Sequence, residues 1–103
     1  MNIADIEPKE IIKGYKGRFV HLESFTVGFW EVEAGAEIPM HSHVHEQTTQ
    51  VTEGKFEMTI DGVTKIYEPG MIVKIPSFAQ HGGKALTPCK ITDVFCPVRE
   101  EYK

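Results

Sequence analysis

The chain has 103 residues, 41% hydrophobic and 25% charged, with a net charge of −4 when its histidines are neutral. Such a length and composition suit a single water-soluble domain spanning residues 1–103, and the acidic balance argues against a nucleic-acid partner, which requires clustered Lys and Arg. No apolar run approaches the ~20 residues of a membrane span, and the start MNIADIEPKE lacks the basic and apolar stretches of a secretory leader, so the expected location is the cytoplasm.

In chain order, the residues from Pro8 to Lys13 form the one helical candidate, too short to carry architecture. His21 reads as a plain strand residue. Residues 24–33 alternate, imperfectly, around Phe25, Val27, Phe29 and Val32, with Trp30 as a core or interface residue. Residues 55–61 alternate cleanly, with Phe56, Met58 and Ile60 on one face and Lys55, Glu57 and Thr59 on the other. Asp61-Gly62 marks a tight hairpin, since both residues tolerate positive φ, and residues 63–67 return antiparallel. Glu68-Pro69-Gly70 is a turn. Residues 71–75, 79–85 and 90–96 supply further strands. Closely spaced strands with Gly/Pro punctuation predict an all-β fold, an antiparallel sandwich or barrel, and a small jelly roll answers the pattern. Exposed sheet edges in so small a barrel predict a homodimer. Cys89 and Cys96 make no disulfide framework and are expected to be reduced. They lie too far from the histidines for a zinc finger.

The chemistry concentrates in two segments. The first is G-AEIPM-H-S-H-VHE-Q-TTQVTE-G, residues 35–54, holding His41, His43, His45, Glu46 and Gln47. Histidines at i and i+2 share a direction where the backbone is extended. A further histidine, His81, follows P-G-MIVKI-P at residues 69–76. Imidazole and amide donors suit a divalent transition ion, whereas the plain alternative is a set of surface-loop histidines. His45 would orient the loop or contact substrate, with ligation in place of Gln47 as the other option. Glu46 reads as solvated.

The second segment is K-I-T-D-V-F-C-P-V-R-E-E-Y, residues 90–102. Alternation puts Ile91, Asp93 and Phe95 on one face and Thr92, Val94 and Cys96 on the other. Periodicity does not say which face is inside. If it is the first, Asp93 is a buried carboxylate with a raised pKa, suited to general acid or base work. Arg99, past Pro97, could then curl over the barrel mouth and hold a substrate carboxylate.

Gly35, His41, His43 and Gly54 resemble the first motif of the cupin superfamily, with Gln47 at its carboxylate position. Gly70, Pro76 and His81 resemble the second, running to residue 85, with Phe78 in place of the inner glycine and Ala85 in place of the later asparagine. The resemblance implies a small single-barrel jelly roll with a metal in its mouth. HSHVHEQ, together with D-V-F-C-P-V-R-E, is similar to the pectin-degradation cupins that linearise unsaturated monouronates. That likeness implies His41, His43, Gln47 and His81 as ligands of one divalent ion (Ni, Zn, Fe or Mn), and Asp93, Phe95 and Arg99 as catalytic residues. Val44 and Met71 depart from that group's pattern.

The expected activity is therefore metal-dependent conversion of 4,5-unsaturated uronates, from pectin or alginate breakdown, to linear 4-deoxy-5-keto-uronates. The expected partner is an anionic sugar acid. Two alternatives stand beside it: an Fe-dependent dioxygenase of a small molecule, and a non-enzymatic sugar-binding or sensor protein.

Overall fold

Ten strands and two single-turn 3₁₀ segments account for the regular structure, and the computed structural model describes all residues, 1–103. The strands are β1 (Lys9–Ile12), β2 (Tyr15–His21), β3 (Thr26–Val32), β4 (Glu37–His41), β5 (Glu46–Glu53), β6 (Phe56–Ile60), β7 (Val63–Tyr67), β8 (Ile72–Ile75), β9 (His81–Ala85) and β10 (Cys89–Cys96). They form a six-stranded sheet in the order β1-β2-β3-β10-β5-β8 and a four-stranded sheet in the order β4-β9-β6-β7. Every pairing is antiparallel. This is the all-β jelly roll that the strand pattern predicts. No helix is long and apolar enough to cross a membrane.

The hairpin at Asp61-Gly62 is present. Both residues have positive φ (47° and 82°), and Ile60 pairs with Val63. Phe56 and Met58 point inward as expected. Two expectations are corrected. Residues 8–13 are not helical: Lys9–Ile12 is an edge strand on β2, because a segment this short gains more from sheet hydrogen bonds than from an isolated turn. In β3 the inward residues are Thr26, Gly28, Trp30 and Val32, while Val27 and Phe29 lie half-buried on the outer face. One large indole fills the interior, and two small residues beside it make room, so hydrophobicity points the wrong way.

Side chains from both sheets meet in one core, among them Tyr15, Trp30, Val51, Phe56, Val73, Ile75 and Ile91. Gly54 closes the turn after β5 with φ +88°, and a Cβ there would collide with the Pro88 carbonyl. Cys89 and Cys96 are both free.

Phe78 has φ 63° and is 65% exposed. The left-handed region costs a non-glycine residue roughly 1–2 kcal/mol, and an exposed ring recovers little by burial. Phe78→Gly is expected to stabilise the fold by about 0.5–1 kcal/mol after its added chain entropy. Thermal denaturation should show a higher melting temperature, and a lower one would mean that the ring packs usefully.

Candidate metal centre

The register of the two sheets assembles the site. His41, at the end of β4, pairs with His81, at the start of β9. On the opposite sheet, β10 pairs with β5 so that Phe95 faces Gln47, Asp93 faces Thr49 and Ile91 faces Val51. A slip of one residue would turn all six to the wrong face. His43 sits in the loop between β4 and β5. Its carbonyl accepts from the Phe78 N–H at 2.8 Å, which ties that loop to the turn before His81.

The three imidazoles of His41, His43 and His81 converge, with ligand atoms within 4.8 Å of one another. Each ring has its tautomer set by a backbone carbonyl. Nδ1 of His41 donates to Pro39 at 2.9 Å, Nδ1 of His43 to His45 at 3.0 Å and Nδ1 of His81 to Ala79 at 2.8 Å. A carbonyl can only accept, so Nδ1 carries the proton and Nε2 presents a lone pair. This is the usual outer arrangement of a metal-bound histidine. Burial pushes the His43 pKa down to about 4, with nearby Arg99 adding to the effect. Burial likewise lowers that of His81, against the pull of the Ala79 carbonyl. Both rings are therefore neutral near pH 7, as ligation requires.

Gln47 lies beside the three imidazoles. Its amide nitrogen donates to Thr49 Oγ1 at 2.9 Å, and Thr49 donates in turn to Asp93 Oδ1 at 2.6 Å. That chain turns the amide oxygen toward His43, 3.1 Å from its Nε2. Two acceptors therefore face each other with no proton between them, an arrangement that a cation relieves. The donor set fits a divalent transition ion. Glutamine leaves the charge of such an ion undiminished, unlike a carboxylate. Gln47→Glu is expected to retain metal but lower turnover by about tenfold, through a weaker Lewis acid and the lost donor to Thr49. Elemental analysis beside the rate assay checks both halves, and equal turnover would make the neutral ligand incidental.

Asp93 faces inward and is only 7% exposed. Burial raises its pKa to about 6, opposed by the hydrogen bond from Thr49, by the nearby amide of Gln47 and indole of Trp30, and by the charge of Arg99. Arg99 does return over the cavity. Its guanidinium carbon lies 4.7 Å from the centre of the Phe95 ring and 4.2 Å from that of Tyr102. Its Nε donates to the Glu101 carboxylate. Nη1 and Nη2 make no hydrogen bond in the protein, which leaves the outer edge of the fork for a ligand. Asp93, Phe95, Arg99 and Tyr102 line a cavity of about 260 Å³ that also reaches His41, His81 and Gln47. Much of the remaining lining is apolar, with Ile11, Ile12, Ile38, Phe56 and Met58.

His45 is not one of the converging imidazoles. Its Nε2 donates to the Val98 carbonyl at 3.2 Å, so it fastens the tail that carries Arg99 to the loop that carries His43. Glu46 is exposed, as expected. Three contributors escape a reading by motif: Thr49, Tyr102 and the Ile11-Ile12 pair. Thr49 was legible only as the partner of Asp93 in register, and Tyr102 only once the tail was seen to fold back.

A family model described as "Cupin domain" matches residues 28–95. Among solved structures, an RmlC-like cupin from Shewanella frigidimarina is 28% identical with a TM-score of 0.95, over 100% of this chain and 94% of that one. KdgF from a Halomonas species is 24% identical with a TM-score of 0.91, over 97% and 94% of the two chains. A salicylate 1,2-dioxygenase from Pseudoaminobacter salicylatoxidans shares 19% identity with a TM-score of 0.80, over 87% of this chain and 27% of that one. No curated protein sequence matches the chain.

Proposed function

Because the chain belongs to the cupin domain family, we propose that it is a metal-dependent enzyme opening 4,5-unsaturated monouronates to linear 4-deoxy-5-keto-uronates. The observation that carries the reading is the meeting, in one cavity, of a buried carboxylate, an arginine with a free fork and the histidine–glutamine cluster. His41, His43, Gln47 and His81 would hold a divalent ion, which would supply a Lewis acid for negative charge developing on a substrate oxygen. Arg99 binds the uronate carboxylate through Nη1 and Nη2, and the Phe95 and Tyr102 rings keep its plane fixed. Asp93 takes the proton of the anomeric hydroxyl as the C1 carbonyl forms and the bond from C1 to the ring oxygen breaks, and it returns that proton to C4 as the resulting enolate becomes the 5-ketone. The apolar wall and the rings of Phe95 and Tyr102 exclude water from the remainder.

The test incubates metal-loaded protein with an unsaturated uronate and follows loss of its conjugated absorbance. No loss with any of the candidate metals would sink the reading. The dioxygenase alternative uses the same imidazoles but gives Asp93 and Arg99 no task. Arg99→Lys keeps the charge and loses the planar fork, so the Michaelis constant should rise about tenfold with kcat little changed. Steady-state kinetics decides, and an unchanged Michaelis constant would remove Arg99 from substrate binding.

A homodimer belongs to the same proposal. Val20, Val27 and Val94 lie in cross-strand register on the outer face of the six-stranded sheet, a patch that a second copy would cover. Sedimentation equilibrium gives the answer.

A further inference from the structure

Trp30 is the only tryptophan in the chain. Its indole meets Tyr15, Phe19 and Tyr102 edge-on, at 6.2, 5.2 and 5.7 Å between ring centres. Three such contacts hold the ring in one orientation. Packing alone would be served by phenylalanine, whereas an indole adds a polar N–H. That N–H is buried and makes no hydrogen bond of ordinary geometry. Native proteins seldom leave a buried donor unpaired.

Its direction follows from the strand beneath it. A Cβ built on Gly28 would stand 3.3 Å from the indole nitrogen, so the N–H end of the ring overhangs Gly28. Gly28 is the cross-strand partner of Asp93. One Asp93 oxygen, Oδ1, accepts from Thr49, and Oδ2 has no hydrogen bond from the protein. An orphaned donor and a half-satisfied carboxylate thus stand side by side over a residue with no side chain. The indole already favours the charged form of Asp93.

We propose that Trp30 is the positioning residue of Asp93: its N–H donates to the free carboxylate oxygen and, with Thr49, fixes the carboxylate plane toward the cavity. Gly28 belongs to the device, since a side chain there would press on the indole and on the Phe19 ring that packs against it. The catalytic consequence rests on the reading of Asp93 as proton carrier, whereas the bond itself does not.

The test uses zinc-loaded protein, which is diamagnetic, and its single indole ¹H–¹⁵N signal. In Asp93→Leu the signal should move upfield and its proton should exchange with D₂O about tenfold faster. A signal that neither moves nor exchanges faster overturns the proposal, whatever the protein does to a uronate. The second arm measures Trp30→Phe and Gly28→Ala in the absorbance assay at equal metal content, and it decides if Asp93→Leu does not fold. Both variants should lose about tenfold in kcat with little change in the Michaelis constant. Wild-type kcat in Trp30→Phe would reduce Trp30 to core packing. A wild-type protein inert toward uronates would sink the substrate reading and leave the indole signal to judge the bond.

Discussion

If the chain opens unsaturated uronates, Asp93→Asn is expected to lower turnover by about two to four orders of magnitude, the usual loss for an acid–base group, while metal content and melting temperature should stay near wild type. The substitution keeps the volume and an oxygen for the Thr49 hydroxyl, so the 2.6 Å bond has a replacement acceptor. What it removes is the ability to take and return a proton. The carboxylate is suited to both acts because burial raises its pKa to about 6, and neither protonation state is far from accessible near neutrality. A merely structural Asp93 would give a different result: Asn would leave kcat unchanged, or would alter stability and rate together. Unchanged turnover would detach β10 from the chemistry and leave a metal-binding cupin with another substrate.

His81→Ala is expected to abolish metal uptake at concentrations that saturate the wild type, with affinity reduced by more than the 10–100-fold typical of losing an outer-sphere partner. His81 is 4% exposed and is fastened by the Ala79 carbonyl, so a solvent molecule cannot easily take its place. Gln47→Ala should cost less, because an amide oxygen is the weaker donor. Stability gives a second readout. At a metal concentration about 100 times Kd, binding to the folded state alone adds about 2.7 kcal/mol. For a chain of this size that is a rise of roughly 10–20 °C in Tm. The wild type should show this rise and His81→Ala should not. Equal rises in both would place the ion elsewhere.

Much of the fold can be read directly from the sequence, for an identifiable reason. Where a strand alternates apolar and polar residues, as at Phe56–Ile60, pattern and burial are the same physical fact. Asp61-Gly62 announces its turn because few other pairs accept positive φ at both positions. Spacing also brings out the candidate metal ligands, since they flank turn glycines and prolines that hold the strands in place. The site strand β5 is harder. Its inward residues are Gln47, Thr49 and Val51, so polarity is inside where function needs it, and no hydrophobic period marks the strand. The same inversion hides the true face of β3, where Thr26 and Gly28 point inward.

By itself, then, the sequence determined the all-β class, the Asp61-Gly62 hairpin and the spacing that marks His41, His43, Gln47 and His81 as candidate ligands, because each depends on local backbone preference or short spacing. Only the tertiary structure decided that Asp93 faces the cavity. Alternation leaves two faces equivalent until a partner sheet covers one, and here the pairing of β10 with β5 sets Asp93 against Thr49. It also decided that residues 9–12 form an edge strand whose isoleucines line the cavity, and that Arg99 packs over both Phe95 and Tyr102. Those contacts join residues distant in sequence, and their energy exists only once the chain has closed.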